Sequence, residues 1–178
     1  MKNFWVFGYG SLMWRPGFPF ISQHVGKLYG YHRALCIYSH VHRGTPEHPG
    51  LVFGLDRGGS CYGMAFEVEG QNLNDVMIYL RAREQVTAVY VESHHAVTLN
   101  DGRIVKAVTY KVDRSHPQYA GILSDQERFE RVRHSEGQSG KNPDYIFSTY
   151  AHLQELGIED QPLARLVQHL RQDQKYNP

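Results

Sequence analysis

An α+β fold is predicted, a curved or barrel-like mixed sheet with helices packed around it, and three features predict it. Strand-like runs rich in β-branched and aromatic residues fill the chain up to residue 112. Segments with the 3.6-residue apolar period follow residue 123, and one earlier helix interrupts the strands. An Asp-Gly turn between two β-rich runs marks a hairpin near the middle of the chain.

The elements follow in order. Phe4 to Phe7 is a short apolar run stopped by Gly8 and reads as a buried strand. Leu28 to Ser39, rich in Tyr, Leu and Ile, reads as the next. Leu51 to Leu55 and Cys61 to Val68 read as two further strands separated by the turn Asp56-Arg57-Gly58-Gly59. Leu73, Val76, Met77 and Leu80 fall at i, i+3, i+4 and i+7, one face of a helix. His94 to Leu99 and Arg103 to Val112 flank Asn100-Asp101-Gly102 as a hairpin. Ser124 with Glu127 forms a capping box for a second helix, expected to end near Gly137. A third helix takes Asn142 as N-cap, Pro143 at N1 and Gly157 just past its end. A fourth begins near Asp160 and carries Leu163, Leu166, Val167 and Leu170. The Pro/Gly stretch His42 to Gly50 is too short to link domains and reads as a surface loop. One domain, residues 1–178, is expected; 178 residues suffice for a substantial core.

Composition excludes several classes. A hydrophobic content of 41% argues against disorder, and a net charge of +1 gives no footprint for nucleic acid or a membrane surface. No apolar run is long enough to span a bilayer, and the N-terminal apolar run is too short for a signal peptide. A cytoplasmic protein is expected. Cys36 and Cys61 are too few for a disulfide framework and are read as reduced and buried.

Two segments carry candidate chemistry. Phe7-Gly8-Tyr9-Gly10-Ser11-Leu12 leaves the first strand with two glycines. A dinucleotide fingerprint needs Gly at position 13, which is Met13, and a helix where Pro16 and Gly17 stand. A nucleophile elbow at Ser11 needs glycines at 9 and 13, which are Tyr9 and Met13. What remains is a turn whose backbone N–H groups either serve only the chain or form an anion-binding concavity suited to a carboxylate. Glu84 lies four residues after Leu80, itself four after Val76, so its carboxylate continues the apolar stripe. Burial and the helix C-terminus both raise a carboxyl pKa toward the range of a general base. Arg81 and Arg83 oppose this by ion pairing, and on the residues alone a structural ion pair is the favoured reading. His40-x-His42 and His94-His95 lack the spacing of a metal site, so no metal is expected.

The segment Val6-Phe7-Gly8-Tyr9-Gly10-Ser11-Leu12-Met13-Trp14 resembles the opening of the ChaC family, the glutathione-specific branch of the γ-glutamylcyclotransferases. The likeness continues in order along nearly the whole chain. It runs through His42-Arg43-Gly44-Thr45-Pro46 with Pro49-Gly50, Gly63-Met64-Ala65-Phe66, and Tyr79-Leu80-Arg81-Ala82-Arg83-Glu84. It ends with Ser139-Gly140-Lys141-Asn142 and Asp144-Tyr145. The resemblance implies a γ-glutamylcyclotransferase-like mixed β-barrel with surrounding helices and a cofactor-free lyase. The γ-glutamyl group of glutathione would cyclise to 5-oxoproline and release cysteinylglycine. Glu84 would be the general base, and Gly8, Tyr9, Gly10, Ser11, Leu12 and Met13 would receive the substrate, a small molecule. Tyr145 would line the pocket and Arg33 would pair with a substrate carboxylate, though packing or solvent-facing roles are open for both. Ala88 stands where many relatives carry Gly after the glutamate. Two alternatives remain: the same reaction on another γ-glutamyl amino acid or amine, or a non-catalytic regulatory protein on the same fold.

Overall fold

The computed structural model describes residues 2–85 and 87–173. Strands β1 (Phe4–Gly8), β2 (Ser22–Ser39), β3 (Gly50–Val68), β4 (Tyr90–Leu99) and β5 (Ile104–Val112) form a closed barrel in the order β1-β3-β2-β4-β5. β1 runs antiparallel to β3, with Gly8 opposite Met64, and parallel to β5, which closes the ring. Helices are α1 (Leu73–Glu84), α2 (Asp125–Arg133), α3 (Asn142–Glu155) and α4 (Gln161–Gln172); a two-stranded ribbon, β6 (Glu136–Gly137) and β7 (Gly140–Lys141), precedes α3. The predicted α+β class and barrel are as observed. Among the described residues no helix is long and apolar enough to cross a membrane.

The chain divides into two compact units, Met1–Ala34 with Gly54–His116 and Leu35–Phe53 with Pro117–Pro178. In the first, alternation along β1 sends Phe7 and Tyr9 into a core with Leu28, Leu55, Val97 and Ala107, with Trp5 packed against it. The hairpin β4–β5 turns where predicted: Gly102 takes φ +89 and its N–H donates to the Leu99 carbonyl at 3.0 Å. α1 buries Val76 and Leu80, as the i, i+4 spacing requires.

In the second unit α2 opens on the predicted capping box at Ser124, and the Asp160 side chain caps α4 by accepting the Leu163 N–H. Cys36, here, and Cys61, in the first unit, are both buried thiols.

Several boundaries differ from expectation: β2 begins at Ser22 and not at Leu28, and β4 at Tyr90 and not at His94. The two strands predicted around Asp56-Arg57-Gly58-Gly59 are one, β3; Gly58 and Gly59 take φ +105 and +65, bending the strand without ending it. α2 ends at Arg133, short of Gly137, which pairs in the β6–β7 ribbon instead. Asn142 is the first helical residue of α3, not its N-cap; Lys141 holds that place. The Asn142 side chain is fully buried and engaged elsewhere: its Nδ2 donates to the Leu51 carbonyl at 2.9 Å and its Oδ1 accepts the Leu51 N–H at 2.8 Å.

Candidate active site

The first unit brings the glycine-rich loop and Glu84 together. Tyr9, buried with the barrel core, anchors the chain as it leaves β1. Ser11–Met13 then form a single 3-10 turn; Met13 N–H donates to the Gly10 carbonyl at 2.9 Å and Arg15 N–H to the Ser11 carbonyl at 2.8 Å. The opening N–H groups of such a turn have no intrahelical acceptor, which suits them to an incoming anion. Leu12 and Met13 are buried, whereas Ser11 is exposed. The two glycines differ. A Cβ at Gly8 would stand 2.8 Å from Leu12 Cβ, a packing constraint; a Cβ at Gly10 would meet no heavy atom within 4 Å. Gly10 therefore borders open space where a ligand can approach the backbone.

Arg33 sits beneath this loop. It is buried, and its guanidinium donates from Nε to the Tyr9 carbonyl and from Nη2 to the Tyr62 carbonyl, both at 2.6 Å. These contacts tie the end of β1 to β3 and give Arg33 an anchoring task in place of the solvent-facing alternative.

Glu84 closes α1 with its side chain 18% exposed, on the inward face that Val76 and Leu80 define. Burial raises its pKa above the ordinary carboxylate range, and the positive charge of Arg83 opposes that rise. Glu84 Oε1 lies 3.4 Å from Arg83 Nε. Arg81 does not compete, because it holds Glu92 of β4 in a two-pronged pair at 2.8 and 3.1 Å. A carboxylate poised this way exchanges protons closer to neutrality than an exposed one.

Tyr110 of β5 is a neighbour that motif reading missed. It is 2% exposed, and its hydroxyl donates to Glu92 at 3.3 Å. Burial pushes the phenol far above its ordinary range, and the charges of Glu92 and Glu84 add to that. A buried Tyr demands a partner for its hydroxyl, so the sequence signal was a Tyr alternating with Val108 and Val112 on one face of a strand.

Tyr145, on α3, belongs to the second unit, where its hydroxyl accepts the Phe53 N–H at 3.0 Å and Arg43 lies over its ring at 5.5 Å. Ala88 does not take a positive φ, so the Gly expected there is not required by the backbone; Val86 lies outside the described residues. His42 Nδ1 is paired with Ser139 Oγ at 2.9 Å. Among the described residues no three His, Cys, Asp or Glu side chains are grouped to hold a metal ion.

Known proteins resemble this chain along nearly its whole length. Residues 4–173 match the family described as ChaC-like protein. The glutathione-specific γ-glutamylcyclotransferase of Escherichia coli K12 is 35% identical over 92% of this chain and 71% of its own length. Glutathione-specific γ-glutamylcyclotransferase 1 of Homo sapiens is 31% identical over 92% of this chain and 76% of its own length. A crystal structure of a yeast glutathione-specific γ-glutamyl cyclotransferase superposes with a TM-score of 0.82 over 99% of this chain and 97% of its own, at 21% identity, a likeness of fold. A barrel of this topology, with this loop and this helix-end glutamate, and a match along nearly its whole length place the chain in the ChaC-like protein family.

Proposed function

We propose that this protein is a glutathione-specific γ-glutamylcyclotransferase in which Glu84 is the general base. The observation that carries the reading is the half-buried Glu84 carboxylate at the end of α1, joined through Arg83 to the loop that follows β1.

The substrate supplies its own nucleophile. The α-amine of the γ-glutamyl group attacks the γ-carbonyl carbon, a C–N bond closes the five-membered ring, and the amide bond to cysteine breaks. Glu84 takes a proton from the α-ammonium to free the amine and passes it to the departing cysteinyl nitrogen; the second proton, shed as the ring nitrogen becomes a lactam N–H, also ends on that nitrogen, which leaves as an ammonium. Protons balance, and neither water nor a cofactor is consumed. The loop from Gly8 to Leu12 offers backbone N–H groups to the substrate carboxylate or to the oxyanion on the γ-carbonyl. Holding amine and carbonyl in attack geometry lowers the barrier by several kcal/mol, and a matched base adds roughly 10²- to 10⁴-fold. The raised proton affinity of Glu84 suits both halves of the transfer. Residues 1–178 act as one functional domain. We place the enzyme in the cytoplasm, where buried thiols such as Cys36 and Cys61 stay reduced.

The test is to incubate purified protein separately with glutathione and with γ-glutamyl-alanine. Release of 5-oxoproline and cysteinylglycine from glutathione, with little from γ-glutamyl-alanine, is the expected outcome. The opposite preference would move the substrate to another γ-glutamyl compound; no turnover of either would favour a non-catalytic protein.

A further inference from the structure

Arg83 makes contacts that neither proton transfer nor substrate contact explains. Its Nη2 donates to Ser11 Oγ at 2.8 Å, and its Nη1 donates to the Arg15 carbonyl at 2.5 Å and to the Tyr79 hydroxyl at 2.9 Å. The Pro16 carbonyl lies at the edge of the same reach, 3.5 Å. Its Nε faces Glu84. One planar fork thus spans the substrate loop, the turn after it and the base.

Tyr79, one helical turn earlier on the same face of α1, extends this grip. Its ring packs edge-on against Phe18 at 6.2 Å between centroids. It also abuts Gly17, whose φ of +74 and lack of a side chain let the two approach; a Cβ there would come within 2.6 Å of Tyr79 Cζ. Segment 11–18 is therefore pinned to the last turns of α1 by a polar and an apolar contact, both from the helix that carries Glu84.

We propose that Arg83 is a positioning residue: its guanidinium locks the Ser11–Pro16 segment to the end of α1 and so sets the placement of the substrate loop against the Glu84 carboxylate. The inference rests on the base role given to Glu84 above. Lysine cannot replace it, because a single ammonium lacks the rigid fork that serves Ser11, Arg15 and Glu84 together. The charge has a second effect. Glu84 senses Arg83 on its own helix, and its charge in turn reaches Tyr110 of β5, while Arg81 and Glu92 neutralise one another. Removing Arg83 removes a nearby cation that favours the ionised form of Glu84.

The test compares Arg83→Met and Arg83→Lys with the natural protein in glutathione turnover across pH. Two readouts independent of activity accompany it: the Glu84 carboxyl titration by NMR, and hydrogen exchange of residues 11–16. For Arg83→Met the expected results are a loss of about 10²-fold in kcat/KM, the size of effect a misplacement near 1 Å produces, an upward move of the acid limb and of the Glu84 titration, and faster exchange in the segment. Arg83→Lys is expected to keep the acid limb in place yet lose kcat and protection of the segment. Unchanged exchange and an unchanged Glu84 titration in both variants would overturn the proposal. Should the natural protein fail to turn over glutathione, the reaction assignment falls, while the exchange and titration still decide the role of Arg83.

Discussion

Replacing Arg33 by Met separates two roles for this side chain. In the structure its guanidinium serves the carbonyls of Tyr9 and Tyr62. Tyr9 is 9% exposed, so its carbonyl, stripped of a charged donor, loses about 1.5–3 kcal/mol. Tyr62 is 47% exposed and its carbonyl regains water, so that loss is about 0.5–1.5 kcal/mol. Relief of a buried charge offsets part of this. The gross loss of about 2–4.5 kcal/mol, cut by that relief to a net of about 1–3 kcal/mol, is a substantial fraction of the roughly 5–15 kcal/mol that holds a domain folded. With a urea dependence of about 2 kcal/mol per M, the unfolding midpoint falls by about 0.5–1.5 M. Urea denaturation followed by tryptophan fluorescence measures this, with glutathione turnover recorded alongside. If Arg33 instead pairs mainly with a substrate carboxylate, Arg33→Met raises KM at an unchanged midpoint, and that result would refute the anchoring argument.

Other consequences follow from the same contacts. Burial raises the Glu84 pKa in the folded state, so ionising it costs stability: nothing is lost below the ordinary pKa near 4.5, and the loss grows as pH rises through the folded value. Glu84→Gln is therefore expected to gain stability relative to the natural protein from about pH 4.5 upward, levelling once Glu84 is ionised. The gain is about 1.4 kcal/mol for each factor of ten by which folding strengthens proton binding at Glu84. A pH-independent difference in urea midpoint would contradict the burial argument. Gly8→Ala forces a Cβ against Leu12 and the backbone of Met13 and is expected to destabilise by about 1–3 kcal/mol. Gly10→Ala meets no protein atom, so its thermal midpoint is expected to stay within about 2 °C while KM for glutathione rises; the reverse ranking in thermal unfolding would exchange the roles of the two glycines.

Local signals carried much of this architecture. The i, i+4 spacing of Val76, Leu80 and Glu84 gave the inward face of α1 because helical phase is a property of a few adjacent turns. The capping box at Ser124 and the Gly102 turn were legible for the same reason: their hydrogen bonds close within four residues. Failures came where a distant partner overrode a local preference. Asp56-Arg57-Gly58-Gly59 has turn chemistry, yet β3 continues through it with neighbours on both sides in the barrel. Asn142 has N-cap chemistry, but its amide is engaged with Leu51, 91 residues away. In the site, Arg33 reads from sequence as a strand cation open to solvent or substrate; only the fold brings the Tyr9 and Tyr62 carbonyls to it. The loop and Glu84 were found by family likeness and phase together, whereas the Tyr110–Glu92–Arg81 network depends on strand pairing and had no motif to announce it.

The central claim is that Glu84 moves the protons of an intramolecular cyclisation. Steady-state formation of 5-oxoproline from glutathione by Glu84→Gln, measured beside the natural protein at the same pH, addresses it most directly. A fall in kcat of at least about 10²-fold with the fold retained is the predicted result. A Glu84→Gln protein that releases 5-oxoproline at the natural rate would contradict it and remove Glu84 from the mechanism.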